Sequence, residues 1–137
     1  MPPPRTKQAI TFATVAALFV WGAAGLADWR QGVRDVEIKA ELITGGSIAR
    51  GKQAFARYGC GSCHTAAGVA QATGTVGPPL TGITGRAIIG GRLENKPSNL
   101  MLWIRDPQHV SPGTAMPRLG VTPADSRDLA AFLYTQT

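Results

Sequence analysis

Cys60, Cys63 and His64 stand in C-x-x-C-H order, a spacing that suits covalent attachment of a c-type haem. Each thiol can add to one haem vinyl group as a thioether, and the adjacent imidazole can then face the iron. These are the only two cysteines in the 137 residues. A second axial donor is needed further along, and Met116 in Pro112-Gly113-Thr114-Ala115-Met116 is the candidate. Iron held by one imidazole and one thioether is suited to carrying single electrons.

A redox dithiol of the thioredoxin kind expects a βαβ context, and no such pattern flanks Cys60. A zinc site needs four ligands, usually from separated pairs. The available set is Cys60, Cys63, His64 and His109, and neighbours at 63 and 64 suit a tetrahedron badly. For the sixth iron position, Met101 competes with Met116. It sits between Leu100 and Leu102 in an apolar run, where methionine ordinarily fills core space. His109 is a third possibility, set against its reading as a surface loop histidine.

Two sequence regions must position these groups. Ile10 to Ala27 is an 18-residue stretch without charge, about 27 Å long as a helix and close to the ~30 Å hydrocarbon core of a bilayer. Arg5 and Lys7 precede it, which places the N-terminus in the cytoplasm. Trp21 and Trp29 fall near the outer end. The competing reading is a cleaved signal peptide with Gly25-Leu26-Ala27 at its cleavage site. Either way the remainder is exported. The expected organisation is a cytoplasmic N-terminus at 1–9, a transmembrane helix or uncleaved signal-anchor at 10–27, a connector at 28–46 and a haem domain at 47–137. In the connector, Val36, Ile38, Ala40 and Leu42 alternate with charged residues, a period of two that predicts extended chain.

Fourteen Lys and Arg face eight Asp and Glu, a net charge of +6. From Thr44 onward there are nine basic and four acidic residues, a net +5. Such a surface favours acidic partners or anionic lipid. Nucleic acid is not expected, because no Lys/Arg-rich run or recognition module is present. Seventeen Gly and ten Pro leave short apolar runs, and a domain this small struggles to fill a core from its own side chains. A buried haem would supply that apolar mass.

The exported part predicts an all-α arrangement. Ser47 is placed to N-cap a helix running to about Tyr58. Thr65 to Gly91 reads as loop. Pro97-Ser98-Asn99 opens a second helix that ends near Asp106, because Pro107 follows. His109 to Val121 reads as loop again. Thr122-Pro123 opens a last helix, with Leu129, Phe132 and Leu133 at helical spacing. Asp125 and Asp128 read as first-turn acids that complement the helix dipole.

This order of elements resembles the class I cytochrome c family over about 46–135. The resemblance implies a cytochrome c fold, in which N- and C-terminal helices cross and loops wrap one covalently attached haem c. Gly51 and Phe55 match the first helix, and Phe132 or Tyr134 matches the last. Gly77-Pro78-Pro79-Leu80 resembles the family's Gly-Pro-x-Leu segment. This implies that the Pro78 carbonyl accepts from His64 Nδ1–H and that Leu80 lies on the haem face. Arg86 matches a position near a haem propionate, Trp103 one beside the propionate edge, and Met116 the ligand of the methionine loop.

The function implied is a monohaem c-type cytochrome that moves single electrons between membrane redox complexes and is not itself an enzyme. The alternative is a haem enzyme or gas sensor with a labile distal ligand. Expected partners are a quinol–cytochrome c oxidoreductase, a terminal oxidase, a reaction centre or a dehydrogenase, and membrane lipid through the N-terminal helix. The expected location is the bacterial inner membrane, single-pass, with the haem domain in the periplasm.

Overall fold

A computed structural model describes the backbone of residues 5–137 and the side chains from residue 12 onward. The first four residues of the expected cytoplasmic stretch lie outside the described residues. The chain divides into two units, 1–35 and 36–137.

In the first unit the chain is helical from Arg5, within the helix α1 (Arg5–Thr44). Its stretch Phe12–Thr44 is long and apolar enough to cross a membrane, a test that an N-terminal signal sequence also passes. Phe12, Phe19 and Trp21 are each at least three-quarters exposed, as expected of a helix that offers apolar surface outward on every side.

The connector is not extended. Residues 28–44 belong to α1, which corrects the reading from the period-two alternation. Burial shows why. Ala40 is 2% exposed and Thr44 4%, whereas Ile38 and Leu42 are 57% and 78% exposed. In a strand, Ile38, Ala40 and Leu42 would share one face; here residues one helical turn apart share the buried side. Glu, Lys, Ala and Leu are also good helix formers. Gly45, at φ +64°, ends the helix, in the left-handed conformation that glycine adopts without a Cβ penalty.

The second unit is built around α2 (Ile48–Arg57) and α5 (Pro123–Leu133). Between them come single 3₁₀ turns at Cys60–Ser62 and Ile83–Gly85. A two-residue hairpin follows, β1 (Ile88–Ile89) and β2 (Leu93–Glu94), antiparallel with Ile88 opposite Glu94. Then come α3 (Pro97–Arg105) and α4 (Pro107–Val110). β1 and the second half of α4 lie in stretches read from sequence as loop. Each is too short to show a period, and α4 is nucleated by Pro107 at its first position with Asp106 Oδ1 accepting from His109 N at 3.3 Å.

α2 and α5 cross where Gly51 meets the backbone of α5. A Cβ on Gly51 would lie 1.9 Å from the Asp128 carbonyl oxygen and 2.8 Å from Phe132 Cβ. Phe55 and Phe132 pack edge-to-face with centroids 5.5 Å apart, a favoured aromatic arrangement. Phe132 is therefore the aromatic at the crossing. Tyr134 instead donates to Asn95 Oδ1 at 3.2 Å.

Capping also differs from the sequence reading. Thr122 Oγ1 accepts from Asp125 N at 3.0 Å and caps α5 as expected. Ser47 holds the N-cap position of α2, but its side chain makes no capping bond. The acceptors come from elsewhere: Asp128 Oδ1 takes Ser47 N at 2.7 Å and Glu41 Oε1 takes Ile48 N at 2.9 Å. Asp128 also receives Arg50 Nε at 2.8 Å and Nη2 at 2.9 Å. It lies beyond the first turn of α5, where Asp125 is the one acid, which corrects its reading as a first-turn acid; it ties α5 to α2 instead. The Arg50 guanidinium and the Ser47 N–H hold its carboxyl below the usual carboxylate range.

Candidate cofactor site

Cys60, Cys63, His64 and Met116 all line one cavity of about 620 Å³, within the ~300–1,000 Å³ range of small-molecule and cofactor pockets. Helix α2 delivers the chain to this cavity. Tyr58 ends the helix, Gly59 turns at φ +68°, and the Cys60–Ser62 turn follows. Cys63 N and His64 N both donate to the Cys60 carbonyl, at 3.2 and 3.0 Å. The compact turn thus presents both thiols and the imidazole to the same space.

The imidazole is fixed from behind. Its Nδ1 lies 2.8 Å from the Pro78 carbonyl oxygen. A carbonyl only accepts, so Nδ1 carries the hydrogen and Nε2 carries the lone pair. Gly77 packs against the ring as well: a Cβ there would sit 2.2 Å from His64 Cε1. The segment is held by Gly77 N to Cys63 O at 2.8 Å and Leu80 N to Thr65 O at 2.9 Å. Leu80 is buried and lines the cavity.

Arg86 and Trp103 line the cavity. One Arg86 Nη2–H donates to the Pro79 carbonyl. Gly90, at φ +56°, lies flat against Trp103, leaving only 2.5 Å between a Cβ there and the indole. Met101 does not line the cavity and packs on the core. His109 is exposed and does not line it either.

Three side-chain amides that carry no sequence signal hold the surrounding loops. Asn95 Nδ2 donates to the Ile83 and Arg86 carbonyls at 2.7 and 2.8 Å. Gln108 Nε2 donates to the Thr114 and Met116 carbonyls, each at 2.8 Å. Gln136 Oε1 accepts from Ala67 N at 2.7 Å. An isolated Asn or Gln resembles any surface polar residue until its distant partners are known.

The donor set suits a covalently held porphyrin iron. Two cysteines, a histidine whose Nδ1 is taken up by Pro78 and a methionine line the same largely apolar cavity. Iron bound by soft sulfur and imidazole nitrogen fits known preferences. Cys60 fits a redox dithiol poorly, because such chemistry needs an accessible thiolate. Burial instead pushes the Cys60 thiol up to about 11.

Comparison with known proteins points the same way. The sequence model of the family described as Cytochrome c matches residues 48–137. A cytochrome c oxidase subunit 2 from Alkalihalophilus pseudofirmus is 35% identical over 107 residues, covering 77% of this chain and 29% of that protein. The chain therefore spans about three tenths of that relative's length. No solved structure matches.

Proposed function

The chain belongs to the cytochrome c family, which carries covalently attached haem c and transfers electrons, and we propose that it is a monohaem carrier with His64 and Met116 as axial ligands. In this reading Cys60 and Cys63 form the two thioethers. Pro78 orients His64, Leu80 covers the haem face, and Arg86 and Trp103 stand at the propionate side. The observation that supports this reading is that these groups line a single cavity and that the Nδ1 bond to Pro78 leaves Nε2 of His64 as the ring nitrogen available to bind iron.

What the haem supplies when bound is one-electron chemistry at iron. The chain's own residues determine how. Nδ1–H donation to Pro78 makes the imidazole a better donor and stops the ring from turning. The Met116 thioether favours the ferrous state. The apolar lining disfavours the extra positive charge of the ferric state, which also raises the potential.

The proposed setting is a membrane. Residues 10–27 form a retained single span in the bacterial inner membrane, with 1–9 in the cytoplasm and 47–137 in the periplasm, joined through 28–46. The tether keeps the carrier at high effective concentration near membrane partners. Among quinol–cytochrome c oxidoreductase, terminal oxidase, reaction centre and dehydrogenase, the oxidase is favoured by the likeness to a cytochrome c oxidase subunit 2.

The test is the optical spectrum of the purified ferric protein. A sulfur-to-iron charge-transfer band supports the carrier. A high-spin, five-coordinate spectrum in the intact protein overturns it in favour of a haem enzyme or gas sensor. Intact mass tests the anchor: a mature N-terminus at Asp28 would show that the segment is cleaved. Copurification from mild detergent then tests the oxidase assignment by what accompanies the chain.

A further inference from the structure

We propose that Gln108 is a positioning residue that locks the Met116 loop shut and so sets how readily the sixth ligand gives way to an outside one; this rests on the reading of Met116 as that ligand.

Three hydrogen bonds of the Gln108 amide run to one loop. Nε2 donates to the Thr114 and Met116 carbonyls at 2.8 Å each, and Oε1 accepts from Gly113 N at 3.2 Å. An amide offers two N–H donors and a carbonyl acceptor, so the loop takes up both donors and engages the acceptor. The two donor bonds are partly buried, where a hydrogen bond is stronger than in water.

The base from which Gln108 reaches is stiff. It follows Pro107, whose side chain is among the most fully buried in the unit and whose ring fixes φ. Asp106 caps the same turn through His109 N. The loop it grips is not regular structure. Gly113 and Gly120 hold φ at +83° and +71°, and Met116 stands between Ala115 and Pro117, both exposed. Such a segment opens locally at low cost unless something pins it. Glutamine is specific for this task. Glutamate would lack both N–H donors and would set a negative charge against two carbonyl oxygens; lysine could not accept from Gly113.

The test uses the full-length ferric holoprotein and imidazole as the external ligand, followed by loss of the sulfur–iron band. Gln108→Leu should retain that band in the absence of imidazole and bind imidazole about tenfold more tightly than wild type. Gln108→Glu should shift the same way, and it decides the matter where the leucine variant yields no holoprotein. In a Met116→Ala background the Gln108 substitution should no longer change imidazole affinity, because there is no thioether left to hold. A general structural role would still change it there.

Affinity within twofold of wild type in the Gln108 variants, with the band intact, overturns the inference and leaves Met116 as the ligand. A persisting effect in the Met116→Ala background also overturns it. If wild type lacks the band and binds imidazole as Met116→Ala does, the ligand assignment fails and the inference falls with it.

Discussion

Gly51 on α2 meets the carbonyl of Asp128 on α5 so closely that a methyl group has no room between them: the Cβ would fall 1.9 Å from the oxygen. The obstruction is backbone, so it cannot rotate away. Gly51→Ala should force the two helices apart at the Phe55–Phe132 contact and destabilise the domain by about 3 kcal/mol, the upper range for overpacking. Denaturant unfolding of the ferric holoprotein measures it. A loss below about 1 kcal/mol would show that the crossing relaxes easily.

Asp128 should make stability fall in acid. Its carboxyl is held below the ordinary value by Arg50 and by Ser47 N–H. The unfolded chain therefore takes up the proton first as pH falls. The contribution is complete above the unfolded value of about 3.9 and is lost as pH drops through the lower folded value. Asp128→Ala should cost about 2 kcal/mol at pH 7, since it removes hydrogen bonds to a charged acceptor and uncaps α2. The difference between wild type and variant should shrink below about pH 4; a gap that stays constant from pH 7 to pH 3 would count against this linkage.

Gly77→Ala should disturb the imidazole rather than the core. Its Cβ would meet His64 Cε1 at 2.2 Å, and the ring can yield only by giving up the Nδ1 bond to Pro78 or its line to the metal. Loss of an outer partner of a metal ligand typically costs about 10–100-fold in metal affinity or activity. The expected result is reduced holoprotein yield and a lowered potential, read by haem staining and redox titration. Wild-type values for both would mean that the ring has slack.

Met116→Ala should leave the haem covalently attached, abolish the sulfur–iron band and open the iron to carbon monoxide. The potential should fall by on the order of 0.2 V, a part of the ~0.8 V range that axial ligation commands. A six-coordinate spectrum with the band intact would remove Met116 from the ligand set.

His64→Ala should largely abolish holoprotein. His64 follows Cys63 directly, and the backbone N–H groups of both donate to the Cys60 carbonyl, so the imidazole is held beside the two thiols. A normal haem yield, measured by covalent haem staining against total protein, would remove His64 from the proximal role.

The chemistry of the site was legible because it is local. Cys60, Cys63 and His64 lie within five residues, and the 18-residue uncharged run needs no partner to be recognised. The openings of α3 and α5 were legible for the same reason, since a proline at the first position acts on its own turn. What tertiary structure alone decided depends on residues distant in sequence. Phe132 rather than Tyr134 lies at the crossing, because Gly51 leaves room beside it. The acceptor for the start of α2 is Asp128, 81 residues away from Ser47. Asn95, Gln108 and Gln136 became recognisable only through the loops they hold. The stretch after Asp28 was misread because a period of two over seven residues does not reveal which side is buried. Ala40 and Thr44 turn inward together, one helical turn apart, and that choice belongs to packing rather than to pattern.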